Sequence, residues 1–249
     1  MQSYKKWESR KLQKKVLQTL VLASMAYVCI IGGDNSAWAQ DYNSDQTLEV
    51  GNTGSVENWE TYDNVIVNKN NSEKFFNGIE LHLAGANKQL KVNGKIDIAI
   101  TDDASNASTH SYTGLDMYGG KIEAADGFNV TINSTAATGS GNKYGIYENV
   151  GDMILGKDSH ITIDTKIGDV YGIYVEDGYG DTVLLGGKLQ IDINQNNEDT
   201  ATEKAYGFYT KPNPNTDSVF TELNIAVKSL NEAGGMYIET DQGNNNNYG

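Results

Sequence analysis

A four-residue unit recurs along this chain, and it limits what the chain can fold into. Tyr144-Gly145-Ile146-Tyr147, Tyr171-Gly172-Ile173-Tyr174 and Tyr206-Gly207-Phe208-Tyr209 are its clearest copies. Asn77-Gly78-Ile79-Glu80, Thr113-Gly114-Leu115-Asp116 and Gly234-Gly235-Met236-Tyr237 are looser ones. The marker glycines at 78, 114, 145, 172, 207 and 235 lie 36, 31, 27, 35 and 28 residues apart. Self-similarity at this period marks stacked units, each burying its apolar face only against its neighbours.

A second block follows each of the first five copies. It alternates apolar and polar residues, as in Ile96-Asp97-Ile98-Ala99-Ile100, Phe128-Asn129-Val130-Thr131-Ile132, Ile161-Thr162-Ile163-Asp164, Leu189-Gln190-Ile191-Asp192-Ile193 and Leu223-Asn224-Ile225-Ala226-Val227. Its middle apolar residues are read as Ile98, Val130, Ile163, Ile191 and Ile225, at steps of 32, 33, 28 and 34. Period-two alternation over this length is the pattern of a half-buried strand. Between the two blocks lies a shorter apolar run: Leu90 to Val92, Ile122, Met153 to Leu155, Val183 to Leu185, Val219 to Phe220. Each unit therefore offers three short strands, with Gly, Asn, Asp and Ser in the links.

Three strands per irregular unit predict an all-β, right-handed parallel β-helix of about six three-stranded coils. Stacked coils bury a continuous column of Ile, Leu and Val, and insertions fall into turns without disturbing the strands. An antiparallel sandwich is the alternative, but it gives no reason for the tetrad to recur at one offset.

The first forty residues read differently. Met1–Lys15 is polar and basic, Val16–Gly33 is apolar apart from Gln18, Thr19 and Ser24, and Ala37-Trp38-Ala39-Gln40 is an A-x-A site. That order predicts a signal helix over 1–39, engagement of the secretion machinery, and cleavage at Ala37, Ala39 and Gln40, after Ala39. An uncleaved membrane anchor is the alternative, since the apolar run is at the lower edge of a spanning length. Residues 40–76 then form an N-terminal cap or irregular first coil, with Leu48–Val50 and Val65–Val67 as its strands. The repeats occupy 77–240, and 241–249 is a polar tail.

Charge and cysteine usage narrow the partners. The chain carries a net charge of −14, and Lys5, Lys6, Arg10, Lys11, Lys14 and Lys15 all lie in the leader. The rest holds 13 Lys, no Arg and 31 acids. This excludes nucleic acid, whose phosphates need clustered cations, and an anionic membrane surface. The only cysteine, Cys29, is also in the leader, so the repeats hold no disulfide, thiolate metal site or cysteine nucleophile.

With the long basic leader ending Ala37-Trp38-Ala39, the cysteine-free acidic repeats and the Tyr-Gly-Ile-Tyr units, the chain resembles the passenger region of a Gram-negative autotransporter, of the pertactin-like or adhesin type. The resemblance covers essentially the whole chain. It implies export through the inner membrane, and a place at the cell surface, the outer membrane or outside the cell. The family's C-terminal barrel of alternating ten-residue strands has no counterpart in this sequence. Outer-membrane association is therefore expected only through a barrel missing here or through another protein.

No catalytic residue, metal or cofactor is expected. β-Helix lyases need basic residues near calcium-binding acids, yet no Arg follows the leader. Asp102-Asp103 is a doublet expected in a solvated turn, and neighbours on a strand point to opposite faces. Gly178–Val183 is similar to a calcium nonapeptide but occurs once, whereas that motif takes its ligands from consecutive turns. His82, His110 and His160 sit in three different coils without metal-ligand spacing.

The tyrosines remain. If the apolar residue after each marker glycine points inward, Tyr147, Tyr174, Tyr209 and Tyr237 face outward in one exposed column. Such a column is either a ladder that stabilises coil stacking or an aromatic platform for a host glycan or surface protein. These four are the candidate ligand-binding residues. The expected function is an exported cell-surface β-helix with a structural or adhesive role and no enzymatic activity. The alternatives are a carbohydrate-active β-helix enzyme, lyase or hydrolase, and an inert fragment of a truncated autotransporter.

Overall fold

The computed structural model describes residues 40–50, 59–70, 75–81, 89–102, 110–134, 141–176, 182–196, 203–211 and 216–238. The expected signal helix, Ala37, Ala39 and the 241–249 tail lie outside them. Fifteen strands follow in order: β1 (Gln40–Ser44), β2 (Leu48–Val50), β3 (Trp59–Asn70), β4 (Phe75–Leu81) and β5 (Gln89–Val92). Then come β6 (Ile96–Asp102), β7 (Ser111–Ala124), β8 (Phe128–Ser134), β9 (Lys143–Leu155) and β10 (Ser159–Thr165). The last are β11 (Val170–Val175), β12 (Thr182–Gln195), β13 (Lys204–Thr210), β14 (Thr216–Lys228) and β15 (Glu232–Ile238). Among the described residues every regular element is a strand.

All pairings are parallel, and they sort into three columns. The first stacks β2, β4, the start of β7, the start of β9, β11, β13 and β15. The second stacks the start of β3, β5, the end of β7, the end of β9, and the first halves of β12 and β14. The third stacks β1, the end of β3, β6, β8, β10, and the second halves of β12 and β14. The chain visits the columns in turn and returns to the first, so the fold is an all-β parallel solenoid. Strands β1, β2 and β3 join the same columns.

The alternating block becomes the third column. Ile96, Ile98, Ile100, Phe128, Val130, Ile132, Ile161, Ile163, Leu189, Ile191 and Ile193 are all buried, while the residues between them are not. One register differs from the sequence reading. Val130 and Ile191 both pair with Ile161, not Ile163, so the steps become 32, 31, 30 and 34. The cause is Ser159, which takes the inward position held by Phe128 and Leu189 in adjacent coils. Its hydroxyl accepts a hydrogen bond from the Phe128 N–H at 3.2 Å. A polar residue at a core position hides the start of the strand from a hydropathy pattern.

Two corners are built differently. Strands β7 and β9 pass from the first column to the second without a break, turning at Gly119 (φ 126°), Gly120 (φ 85°) and Gly151 (φ 142°). Such positive φ values strain any residue with a side chain. At the corner from the third column back to the first, the inward positions are polar: Asp102, Ser134, Thr165 and Gln195 stack in register and all are buried.

Candidate functional site

In a regular strand, residues three apart face opposite sides. The two tyrosines of each tetrad nevertheless share one outer side. Tyr171 pairs with Tyr144 and Tyr206, and Tyr174 with Tyr147 and Tyr209, while the ladder skips the glycine between them. Glycine and apolar residue turn inward together: Ile146 and Ile173 are fully buried and join the main core. A Cβ on Gly145 would lie 2.5 Å from Ile161 Cγ2 and 2.5 Å from the Gly172 carbonyl oxygen. Only glycine fits that step, and the step returns the second tyrosine to the side of the first, as a bulge does.

The result is two tyrosine columns. Tyr147–Tyr174, Tyr174–Tyr209 and Tyr209–Tyr237 stack at 5.4, 5.1 and 5.1 Å between ring centres, with interplanar angles of 8°, 1° and 12°. Beside them Tyr144–Tyr171 and Tyr171–Tyr206 stack at 5.4 and 6.3 Å. Across the columns the rings meet edge to face, as Tyr171 and Tyr174 do at 5.0 Å and 71°. Tyr118 joins the foot of the array, 5.8 Å from Tyr147. Structure thus places Tyr147, Tyr174, Tyr209 and Tyr237 in one column, and adds Tyr118, Tyr144, Tyr171 and Tyr206. The first tyrosine of the tetrad recurs in three consecutive copies, against four for the second, so the repeat of its column was present in the sequence.

The array is less open than alternation predicts. Rings in each column turn their faces to one another, so the solvent meets edges and hydroxyls. Tyr174 is only 9% exposed, while Tyr237 at 41% and Tyr118 at 37% are open at the two ends. Carboxylates rim both sides. Tyr147 donates its hydroxyl to Glu176, which also accepts from Lys211 Nζ at 3.0 Å. That ammonium lies 5.7 Å over the Tyr174 ring. On the other side Tyr206 donates to Glu232, Tyr171 donates to Asp169 at 3.4 Å, and Tyr144 accepts from Asn142. Burial, reinforced by the Glu232 hydrogen bond, pushes the Tyr206 phenol up to about 12. Burial raises Tyr144 and Tyr171 too, which favours their protonated hydroxyls.

Below Tyr147 the same outward position is acidic: Glu49, Glu80 and Asp116 stack in register. Asp116 is buried; its Oδ2 accepts from Asn77 Nδ2 at 2.8 Å and its Oδ1 has no hydrogen-bond partner. Burial and then the Glu80 charge raise this carboxyl to about 7.

The remaining candidates fall apart in space. Asp102 is not in a solvated turn: it ends β6, is 1% exposed, and its Oδ2 lies 2.8 Å from His110 Nδ1. The third-column alternation carries it inward, where the polar corner holds it. His160 is on the outside, with Nε2 2.8 Å from Asp192. His82, Asp103 and Gly178–Asp181 lie outside the described residues. Among the described residues no group of three or more His, Cys, Asp and Glu could hold a metal ion. No family model, curated protein or solved structure matches the chain.

Proposed function

We propose that this chain is an exported surface β-helix, similar to an autotransporter passenger, with a structural or adhesive role and no enzymatic activity. Its coils number six and wind to the right, as parallel crossovers do in nearly all sheets. The observation that carries the reading is the twin tyrosine column on one outer side of the solenoid. Eight tyrosines concentrated there exceed what coil stacking requires, since β5, β6, β8, β10, β12 and β14 of the other two columns stack without any. Large amphipathic rings with fixed hydroxyl donors suit the recognition of a host glycan or surface protein. The leader, with its basic, apolar and A-x-A segments, supports export.

The test is expression of the full chain in a Gram-negative host, followed by fractionation. The exported protein should begin at Gln40 and bind cultured epithelial cells or immobilised polysaccharide. Replacing the two open rings, in Tyr118→Ala/Tyr237→Ala, should abolish that binding with the fold intact. Retention in the cytoplasm with the leader attached, or unchanged binding by the folded variant, overturns the proposal. The runner-up, a glycan-cleaving enzyme, draws on the buried Asp116 beside Glu80, and release of reducing ends from a polysaccharide would favour it.

A further inference from the structure

We propose that the tyrosine array is a relay for one-electron oxidation, which takes up an oxidising equivalent at the open ring of Tyr118 and passes it from ring to ring into the shielded middle of the array. This use goes beyond recognition of a ligand and needs none. Electron transfer weakens steeply with separation, and no gap interrupts the path. Tyr118 lies 5.8 Å from Tyr147, Tyr147 lies 5.4 Å from Tyr174, and Tyr174 lies 5.1 Å from Tyr209, centre to centre. Edge-to-face and tilted contacts join this column to the second in three successive coils: Tyr144–Tyr147 at 5.3 Å, Tyr171–Tyr174 at 5.0 Å and Tyr206–Tyr209 at 5.6 Å. Every step falls within the range of aromatic contact, about 4.5–7 Å between centres.

The surroundings supply the proton chemistry. A neutral phenol gives up its proton when it gives up an electron, so each step needs a base within hydrogen-bond reach. Three rings have a carboxylate there: Tyr147 donates to Glu176, Tyr171 to Asp169 and Tyr206 to Glu232. In the first step Tyr118 gives an electron to a one-electron oxidant of the ferryl-haem or metal(III)-complex class, and its proton to water. Tyr147 then gives an electron to the Tyr118 radical and its proton to Glu176, while Tyr118 recovers a proton from water. When Tyr174 refills Tyr147, Glu176 returns that proton and the Tyr174 proton goes to water. When Tyr171 refills Tyr174, its own proton passes to Asp169, and Tyr174 recovers one from water. Each transfer leaves a neutral phenoxyl, so no positive charge builds up beside the Lys211 ammonium over Tyr174. Tyr171, Tyr174 and Tyr206 are buried, which shields a radical there from coupling with another chain. The only cysteine is Cys29 in the leader, so no thiol in the repeats drains the relay.

A photo-oxidant placed beside Tyr118 tests this. A ruthenium polypyridyl label is attached to the full chain through Lys121→Cys, on the same strand as Tyr118, with Cys29→Ser to keep the label single. The labelled protein is flashed with a cobalt(III) electron acceptor present, and circular dichroism controls for folding. The tyrosyl radical, followed by its absorbance, should be long-lived, with little dityrosine formed between copies through Tyr118. Tyr147→Phe keeps the ring but removes the phenol. The radical should then stay on Tyr118, decay several-fold faster, and raise Tyr118 dityrosine several-fold by mass spectrometry. Tyr118→Phe should remove most of the tyrosyl signal. Equal lifetimes and equal Tyr118 coupling with and without Tyr147→Phe, or an undiminished signal in Tyr118→Phe, overturns the proposal.

Discussion

Gly172 leaves the space that Ile191 fills: a Cβ on Gly172 would lie 2.5 Å from Ile191 Cγ2 and 2.5 Å from the Gly207 carbonyl oxygen. The same contact recurs between Gly78 and Ile98, Gly114 and Val130, Gly145 and Ile161, and Gly207 and Ile225, at 2.2–2.6 Å. The two repeating blocks of the sequence are thus the two halves of one interlock inside each coil.

Gly172→Ala should therefore destabilise by about 2–3 kcal/mol, near the upper range for overpacking, because one of the two obstructing atoms is backbone. Ile191→Ala removes the other. A double-mutant cycle by urea unfolding should show the pair coupled by about 1 kcal/mol in the compensating direction. Strict additivity would mean that the glycine is not packed against the isoleucine.

Glu148 sets the direction of the pH dependence. It is fully buried in β9, and neither carboxylate oxygen has a hydrogen-bond partner. Burial, then the Asp152 charge, raises it well above the ordinary 4.5. Below pH 4.5 the group is protonated folded or unfolded and has no effect on stability. Above it the unfolded chain ionises while the folded one does not, so stability falls until the pH reaches the folded value. Asp116 acts in the same direction between 3.8 and about 7. The wild-type melting temperature should fall from pH 4 to pH 8, and Glu148→Gln should make that fall shallower. A wild type whose stability rises over this interval would show that these carboxyls are ionised in the fold.

The three columns were legible because solenoid stacking converts sequence repeats directly into spatial neighbours. Ile98, Val130, Ile191 and Ile225 were placed by alternation alone. Part of what was not legible came from polar residues at inward positions. Ser159 hid the true register of β10, and Asp102 read as a surface acid although the polar corner buries it. Tyr144, Tyr171 and Tyr206 were missed for another reason. Strict alternation sends them away from the second tyrosine, and the inward step at each glycine is a backbone event that hydropathy does not record.

Asp102 anchors that corner. Its Oδ2 accepts from Ser134 Oγ at 3.3 Å and lies 2.8 Å from His110 Nδ1, which is also 2.9 Å from the Tyr112 hydroxyl. Asp102→Ala leaves buried polar groups without their partner and should cost about 3 kcal/mol. Asp102→Asn keeps an acceptor in place and should cost about half as much. Urea unfolding of the two variants separates them, and an Ala variant as stable as the wild type would remove Asp102 from the corner.

The tyrosine ladder predicts unequal losses along its length. Tyr174 lies between two parallel rings, those of Tyr147 and Tyr209, whereas Tyr237 stacks on Tyr209 alone within its column and is 41% exposed. Truncating a buried aromatic costs about 3 kcal/mol or more, and a stacked pair adds about 0.5–1.5 kcal/mol beyond its area. Tyr174→Ala should therefore lose about 3 kcal/mol, and Tyr237→Ala about 1 kcal/mol, by chemical denaturation. The difference decides how the array can be used. A costly middle and an inexpensive end mean that the interior rings hold the coils together and leave recognition to the terminal rings. Equal losses at both positions would show that the column is not stacked, and that its interior tyrosines are as free to bind as those at its ends.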